Sequence, residues 1–117
     1  MKKIYYLSSC DTCKRILQEV DAPASFELQD IKKEPVTAQQ LEELRKHSNS
    51  YEALFNKRAR LYKERGLKEK GLTEEDFKNL ILEHYTFLKR PVIIKDESVF
   101  IGNSKKTVAQ AKKHIHE

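Results

Sequence analysis

Lys3-Ile4-Tyr5-Tyr6-Leu7-Ser8-Ser9-Cys10-Asp11-Thr12-Cys13-Lys14-Arg15 is the stretch on which the reading of the chain turns. An apolar run of β type ends in a Ser-Ser turn, and a Cys-x-x-Cys follows whose second half opens a helical pattern. Ile16, Leu17 and Val20 recur at helical spacing with charges between them, which predicts a helix over 11–21, stopped by Ala22-Pro23. Both cysteines of the chain lie in this motif. The N-terminal end of a helix carries free N–H groups and partial positive charge. A thiol held there loses its proton more easily, and the thiolate is the nucleophile of disulfide chemistry. Cys10 is therefore the expected nucleophile, just ahead of a helix capped by Asp11 or Thr12. Cys13, one turn in, is the expected resolving thiol. A lowered pKa follows for Cys10 and a less perturbed one for Cys13.

Outward from the motif, Ser25 to Asp30 brings Phe26, Leu28 and then Ile31 in alternation, a second strand with one polar face. Strand, helix, strand in so short a span is a βαβ unit with parallel strands and a right-handed crossover. After Pro35 the pattern turns helical. Thr37-Ala38-Gln39-Gln40 has the form of a capping box, with Leu41 and Leu44 on one face, and His47-Ser48-Asn49-Ser50 breaks the helix. Tyr51, Leu54, Phe55, Leu61 and Tyr62 suggest short helical turns. Thr73-Glu74-Glu75-Asp76 starts another helix with Phe77, Leu80, Ile81 and His84 along it. Pro91 to Lys95 and Val99 to Ile101 read as a hairpin about Asp96-Glu97-Ser98. A last helix buries Val108, Ala111 and Ile115. With the middle helices set aside, βαβ followed by ββα gives the fold class: α/β, a thioredoxin-like fold with an inserted all-helical subdomain. The chain reads as one domain, with its core at about 1–34 and 88–117 and the helical insertion at about 35–87.

Composition narrows the function classes. The 117 residues are 38% apolar and 35% charged, enough for a modest core and too polar for an extensive one. The apolar runs are too short to span a membrane. The start, Met1-Lys2-Lys3, has no signal-peptide h-region, since Ser8, Ser9 and Cys10 interrupt it. Cytoplasmic localisation is the expectation, without membrane attachment. The net charge of +5 fits an acidic partner, an anionic substrate, nucleic acid or simply a lysine-rich solvated surface. Basic residues cluster at 57–70, where acids are interspersed, and at 105–113. Nothing in the pattern points to direct nucleic-acid binding. Two cysteines and the His114-x-His116 pair fall short of a metal-ligand set, so neither metal nor bound cofactor is expected.

Arg90-Pro91 is the second element of the candidate site. Proline heading an apolar strand cannot donate a ladder bond. In a thioredoxin-like fold a proline in this place is cis and packs against the active cysteine. Arg90 would then set a fixed positive charge beside the thiolate, lowering its pKa and holding an anionic substrate. An ordinary edge-strand proline with a solvated arginine is the alternative. Lys14 and Arg58 are candidate anion ligands or solvated side chains, and His47 and His84 are read as surface or helix-end residues.

Four blocks, Tyr6-Leu7-Ser8-Ser9-Cys10-Asp11-Thr12-Cys13, Leu54-Phe55-Asn56-Lys57-Arg58, Leu88-Lys89-Arg90-Pro91-Val92-Ile93-Ile94 and Ile101-Gly102-Asn103-Ser104, stand in order at fitting separations. Together they resemble the arsenate reductase (ArsC) family, which includes the Spx regulators and the YffB-type proteins. The resemblance covers essentially the whole length. It implies the thioredoxin-like fold with its helical insertion and a nucleophile at Cys10. Glutathione-dependent members hold the arsenate oxyanion with three arginines. Here Arg90 fills one of those positions, Asn56 stands at another with Arg58 two residues on, and the third falls near Asn103. These departures, and the presence of Cys13, set the chain on the Spx/YffB side. The implied site is catalytic Cys10, Cys13 and Arg90, anion-binding Lys14, Arg58, Asn56 and Asn103, and cis-proline Pro91. The implied activity is thiol–disulfide exchange on a thiol, disulfide or oxyanion substrate, with glutathione or a thioredoxin/glutaredoxin system as reductant. The other reading is an Spx-type redox sensor that binds the C-terminal domain of the RNA polymerase α subunit.

Overall fold

The computed structural model describes residues 1–117. Nine regular elements follow one another: β1 (Lys2–Tyr6), α1 (Asp11–Val20), β2 (Glu27–Asp30), α2 (Ala38–Ser48), α3 (Arg60–Glu64), α4 (Glu74–Glu83), β3 (Val92–Lys95), β4 (Ser98–Ile101) and α5 (Lys105–Ile115). Three single 3-10 turns, Glu52–Leu54, Leu67–Lys70 and Tyr85–Phe87, join the middle helices. The chain forms two compact units, Met1–Glu34 with Arg90–Glu117, and Pro35–Lys89. No helix is long and apolar enough to cross a membrane.

The first unit is a four-stranded mixed sheet in the order β2-β1-β3-β4, an α/β arrangement of thioredoxin-like type. β1 pairs with β2 in parallel and with β3 antiparallel, and β3 and β4 form the hairpin. Lys95 lies opposite Ser98, so the turn is the two residues Asp96-Glu97, with Asp96 at φ 55° supplying the left-handed conformation such turns need. One face of the sheet buries Ile4 and Ile93 against Ile16 and Val20 of α1 and Val108, Ala111 and Ile115 of α5, with Phe26 joining them from the loop ahead of β2. The stripes that read as helical periodicity are thus the faces the two helices turn to the sheet. α1 stops where Asp21 takes the left-handed conformation at φ 46° and returns its N–H to the Leu17 carbonyl.

α1 and α5 lie on the same face and run the same way. Each follows a strand end at the same end of the sheet, because Tyr5 of β1 and Ile101 of β4 both sit opposite Val92 of β3. At their far ends His116 Nε2 lies 2.7 Å from the Val20 carbonyl oxygen.

β2 departs from the alternation read in the sequence. Leu28 shares a side with its partner Ile4 yet is 53% exposed, while Gln29 is buried. β2 is an edge strand, and at that edge the apolar side chain is left uncovered. The buried amide instead has a partner: Gln29 Nε2 donates to the Glu34 carbonyl at 2.9 Å and ties down the loop that follows.

The second unit is held by aromatic side chains. Phe55 stacks on Phe87 at 5.3 Å between ring centroids and meets Phe77 at 4.8 Å and Tyr62 at 5.7 Å. Phe55 and Leu88 form an antiparallel bridge, closed by Asn56 N–H to the Phe87 carbonyl and Lys89 N–H to the Leu54 carbonyl. Both helix starts read from the sequence carry capping boxes, Thr37 with Gln40 and Thr73 with Asp76. The Glu74 carboxylate adds a cap in trans, accepting from the Tyr51 and Glu52 N–H groups at 2.7 and 3.1 Å.

Candidate active site

β1 ends at Tyr6, and the chain turns through Leu7, Ser8 and Ser9, closed by a 3.1 Å bond from Cys10 N–H to the Leu7 carbonyl. Cys10 itself is the N-cap of α1, at φ −101° and ψ 114°, with its carbonyl accepting from Lys14 N–H at 3.1 Å. This corrects the expectation that Asp11 or Thr12 caps the helix. Asp11 is the first helical residue, and no side chain closes the helix start with an oxygen. The open N–H groups turn to sulfur instead.

Partial burial pushes the Cys10 thiol up, but the lowering contacts outweigh it. These are the Cys13 N–H and thiol, the Arg90 charge and the Thr12 N–H, and the net shift is downward. Cys13 differs. Its side chain is fully buried, and burial is the largest cause that raises its pKa to about 11. The Leu7 backbone and Arg90 oppose the rise, while the neighbouring Cys10 sulfur adds to it. Cys13 is therefore strongly perturbed, not mildly as the sequence suggested, because the first turn of α1 carries it under the sheet-facing side of the helix. Both cysteines are free thiols.

The Arg90–Pro91 peptide bond is cis, and Pro91 is buried at the head of β3. Its carbonyl accepts from Gly102 N–H at 2.9 Å, which ties the start of β3 to the turn ahead of α5. Gly102 lies at φ 92°, a conformation that favours glycine. The Tyr5–Val92 pairing sets this corner beside the end of β1, so the guanidinium of Arg90 acts on both thiols.

Asp30, the last residue of β2, was not singled out by the sequence. Its Oδ1 accepts from Ser8 N–H and from Lys32 N–H, both at 3.2 Å, so one carboxylate joins the cysteine-bearing turn to the turn after β2. Burial opposes ionisation of Asp30, but Ser8, the Lys32 N–H and the Lys33 charge hold its pKa below the ordinary value. Oδ2 is buried without a hydrogen-bond partner. A polar residue at a strand end was the only signal in the sequence, and it does not say which turn the carboxylate will hold.

The structure thus brings Cys10, Cys13, Arg90 and Pro91 together. Lys14 is exposed on α1 one turn past Cys10, and Asn103 is exposed in the turn ahead of α5. Asn56 and Arg58 belong to the second unit. There the Asn56 amide is engaged at both ends, Nδ2 donating to the Thr86 carbonyl at 3.2 Å and Oδ1 accepting from Arg58 N–H at 3.0 Å. The Arg58 side chain is exposed. No group of three or more His, Cys, Asp or Glu side chains is placed to hold a metal ion.

The model of the ArsC family matches residues 5–111. Among solved structures, the chain is similar to an arsenate reductase from Vibrio cholerae, with 17% identity and a TM-score of 0.77 over 94% of this chain and 96% of that one. The YFFB protein matches at 19% identity and a TM-score of 0.76, over 95% and 98%. An arsenate reductase (ArsC) related protein from Brucella melitensis matches at 24% identity and 0.69, over 93% and 92%. At these identities the structural likeness speaks for the fold. No curated protein matches the chain.

Proposed function

The chain belongs to the ArsC family, a thiol-dependent reductase-like family, and from that premise we propose that it is a thiol–disulfide oxidoreductase in which Cys10 attacks and Cys13 resolves. The observation that carries this reading is Cys10 at the open N-cap of α1, hydrogen-bonded to Cys13 and beside Arg90. The Cys10 thiolate attacks one sulfur of a disulfide substrate, forming a mixed disulfide and releasing the other sulfur as a thiolate. Cys13 then gives up its proton and attacks Cys10, forming the Cys10–Cys13 disulfide and releasing the second substrate thiol. Two electrons pass from the protein to the substrate.

The environment of Cys13 suits the second step. Burial keeps it protonated and unreactive in the resting protein, and the Cys10 sulfur reinforces this. Once Cys10 is bound in the mixed disulfide its negative charge is gone, and that part of the upward shift goes with it. Arg90, which favours ionisation of both sulfurs, remains. An external reductant, glutathione or a thioredoxin/glutaredoxin system, restores the dithiol. Such a cycle fits the reducing cytoplasm.

Arsenate turnover is expected to be weak. A buried oxyanion needs several fixed cations or charge-assisted donors. Of the three positions that hold arginine in glutathione-dependent members, this chain keeps Arg90 and has Asn56 and Asn103 at the others, and the Asn56 amide already has backbone partners. The Cys10–Cys13 pair also fits a redox-sensing regulator that binds the RNA polymerase α C-terminal domain. Binding to that domain by the dithiol and disulfide forms, without disulfide turnover, would favour the regulator. The deciding test is single-turnover reduction of a disulfide peptide. Cys10→Ser should abolish it, and Cys13→Ser should halt at a mixed disulfide visible by intact mass. Equal rates in the wild type and Cys10→Ser would sink the reading.

A further inference from the structure

The cysteine-bearing end of the first unit is unevenly charged. All four strands present a loop there. After β1 comes the turn to Cys10, with Lys14 one helical turn on; after β2 come Lys32 and Lys33; before β3 stands Arg90; and after β4 come Lys105 and Lys106. The parallel run of α1 and α5, latched at the far end by His116 and Val20, sets the first turn of α5 level with that of α1. Lys14, Lys32, Lys33, Lys105 and Lys106 are all exposed, and none of the salt bridges in the structure involves them. Three acids share this end: exposed Asp11, exposed Glu34, and Asp30, which is bonded inward to the two turns.

Lys105 and Lys106 occupy the first turn of α5, which holds no acid. Cations there oppose the helix dipole, where an acidic residue would stabilise the helix. Local helix stability does not account for two lysines at this place. Four basic side chains away from this end are paired with acids, Lys57 with Glu52, Arg60 with Glu64, Arg65 with Glu83 and Lys3 with Glu27. At this end of the first unit five lysines and Arg90 face three acids, one of which, Asp30, is bonded inward and lies near the Lys33 charge.

We propose that the disulfide Cys10 attacks is carried by a polypeptide with acidic residues flanking the bond, which this basic collar recognises. The proposal rests on the thiol-exchange reading above and names its substrate. Reaction forms the Cys10–substrate disulfide as the substrate disulfide breaks, and then the Cys10–Cys13 disulfide as the mixed disulfide breaks. The substrate disulfide is the oxidant and leaves as two thiols. The collar steers encounter and orients the acidic flanks, so its effect belongs to the rate of the first step and falls with ionic strength.

The test uses the reduced full chain and short peptides whose single cysteine is in a mixed disulfide with thionitrobenzoate, flanked by Glu, by Ser or by Lys. Release of thionitrobenzoate is followed in a stopped flow. The Glu peptide is expected to react about tenfold or more faster than the Ser peptide at low salt, and the Lys peptide slower than either. The preference should collapse at about 0.5 M salt, where the Debye length is only a few ångström. Lys105→Glu with Lys106→Glu should remove most of it. Lys112→Glu with Lys113→Glu makes the same charge change at the far end of α5 and should retain it. Equal rates for the three peptides, or equal loss of preference in both double variants, overturn the proposal. A glutathione mixed disulfide reacting as fast as the Glu peptide would assign the collar to a small anionic disulfide and overturn the polypeptide claim. Absence of release with every peptide would overturn the thiol-exchange reading and this inference with it.

Discussion

Replacing Asp30 by alanine removes the acceptor that joins the cysteine-bearing turn to the turn after β2. Leaving two backbone donors without it should destabilise the protein by about 1–3 kcal/mol. It should also raise the Cys10 pKa, because the turn that aims sulfur at the open helix end is loosened. Asp30→Asn keeps an acceptor oxygen and should do less of both. Thermal melts and pH-dependent alkylation of a Cys13→Ser background measure the two effects separately. A lower melting temperature with an unmoved Cys10 titration would show that Asp30 serves stability alone. Cys13 gives a pH prediction whose sign is fixed by its raised pKa. Protonated Cys13 stabilises the fold fully below the ordinary thiol value of 9.0, and that contribution is lost as pH rises through about 11. Cys10, with its lowered pKa, runs the other way: its contribution is present above the ordinary value and lost as pH falls through the folded one. Urea unfolding at pH 8 and pH 10.5 should show a smaller fall in stability for Cys13→Ala than for the wild type. An identical fall would put the burial of Cys13 in question. The cysteine pair was plain in the sequence because no other thiol competes with it. The capping role of Cys10 was not, since cysteine is not among the residues that favour an N-cap and nearby Asp11 and Thr12 are stronger formers.

Elements with a one-sided apolar stripe were legible, as was β4 at one edge of the sheet through its hairpin, but the buried side of β2 at the other edge was not. α1 and α5 bury Ile16 and Val20, and Val108, Ala111 and Ile115, as their spacing predicts, because a helix on a sheet has one covered face. Thr37 and Thr73 start helices as read, each with its side chain accepting the expected N–H. Thr37→Ala should therefore lower stability by about 1 kcal/mol, measured by urea titration. In β2 alternation misleads, because an edge strand has fewer neighbours to define a buried side, and the hydrogen bond of Gln29 to Glu34 decides which residue goes in. Leu28→Thr should shift stability by no more than about 0.5 kcal/mol. A loss of 2 kcal/mol or more would mean that Leu28 is covered in solution. The short helical turns suggested by Tyr51, Leu54, Phe55, Leu61 and Tyr62 are present as the 3-10 turn Glu52–Leu54 and α3, while the 3-10 turns Leu67–Lys70 and Tyr85–Phe87 were not read, since three or four residues are too few to show a period.

Across the whole molecule, two units divide the apolar residues between unlike cores. The first rests on aliphatic side chains between sheet and helices, the second on the rings around Phe55. Phe55→Ala should cost about 3–5 kcal/mol, read from chemical denaturation, and a cost near that of a surface substitution would show that the ring cluster is not a core. The order of strands in the first unit bears on how the protein is made. β1 lies between β2 and β3, yet β3 begins at Val92, long after β1 ends at Tyr6. At about 5–20 residues per second, a growing chain carries β1, α1 and β2 on the order of 3–12 s before the central partner strand is synthesised. Throughout that interval Arg90 does not yet exist, and neither does the sheet against which α1 settles. On the ribosome, then, Cys10 and Cys13 are expected to lack the Arg90 charge that acts on both of them in the folded protein. The full difference in reactivity between them is expected to arrive with the last quarter of the chain, a maturation step that a timed alkylation of nascent chains would read directly.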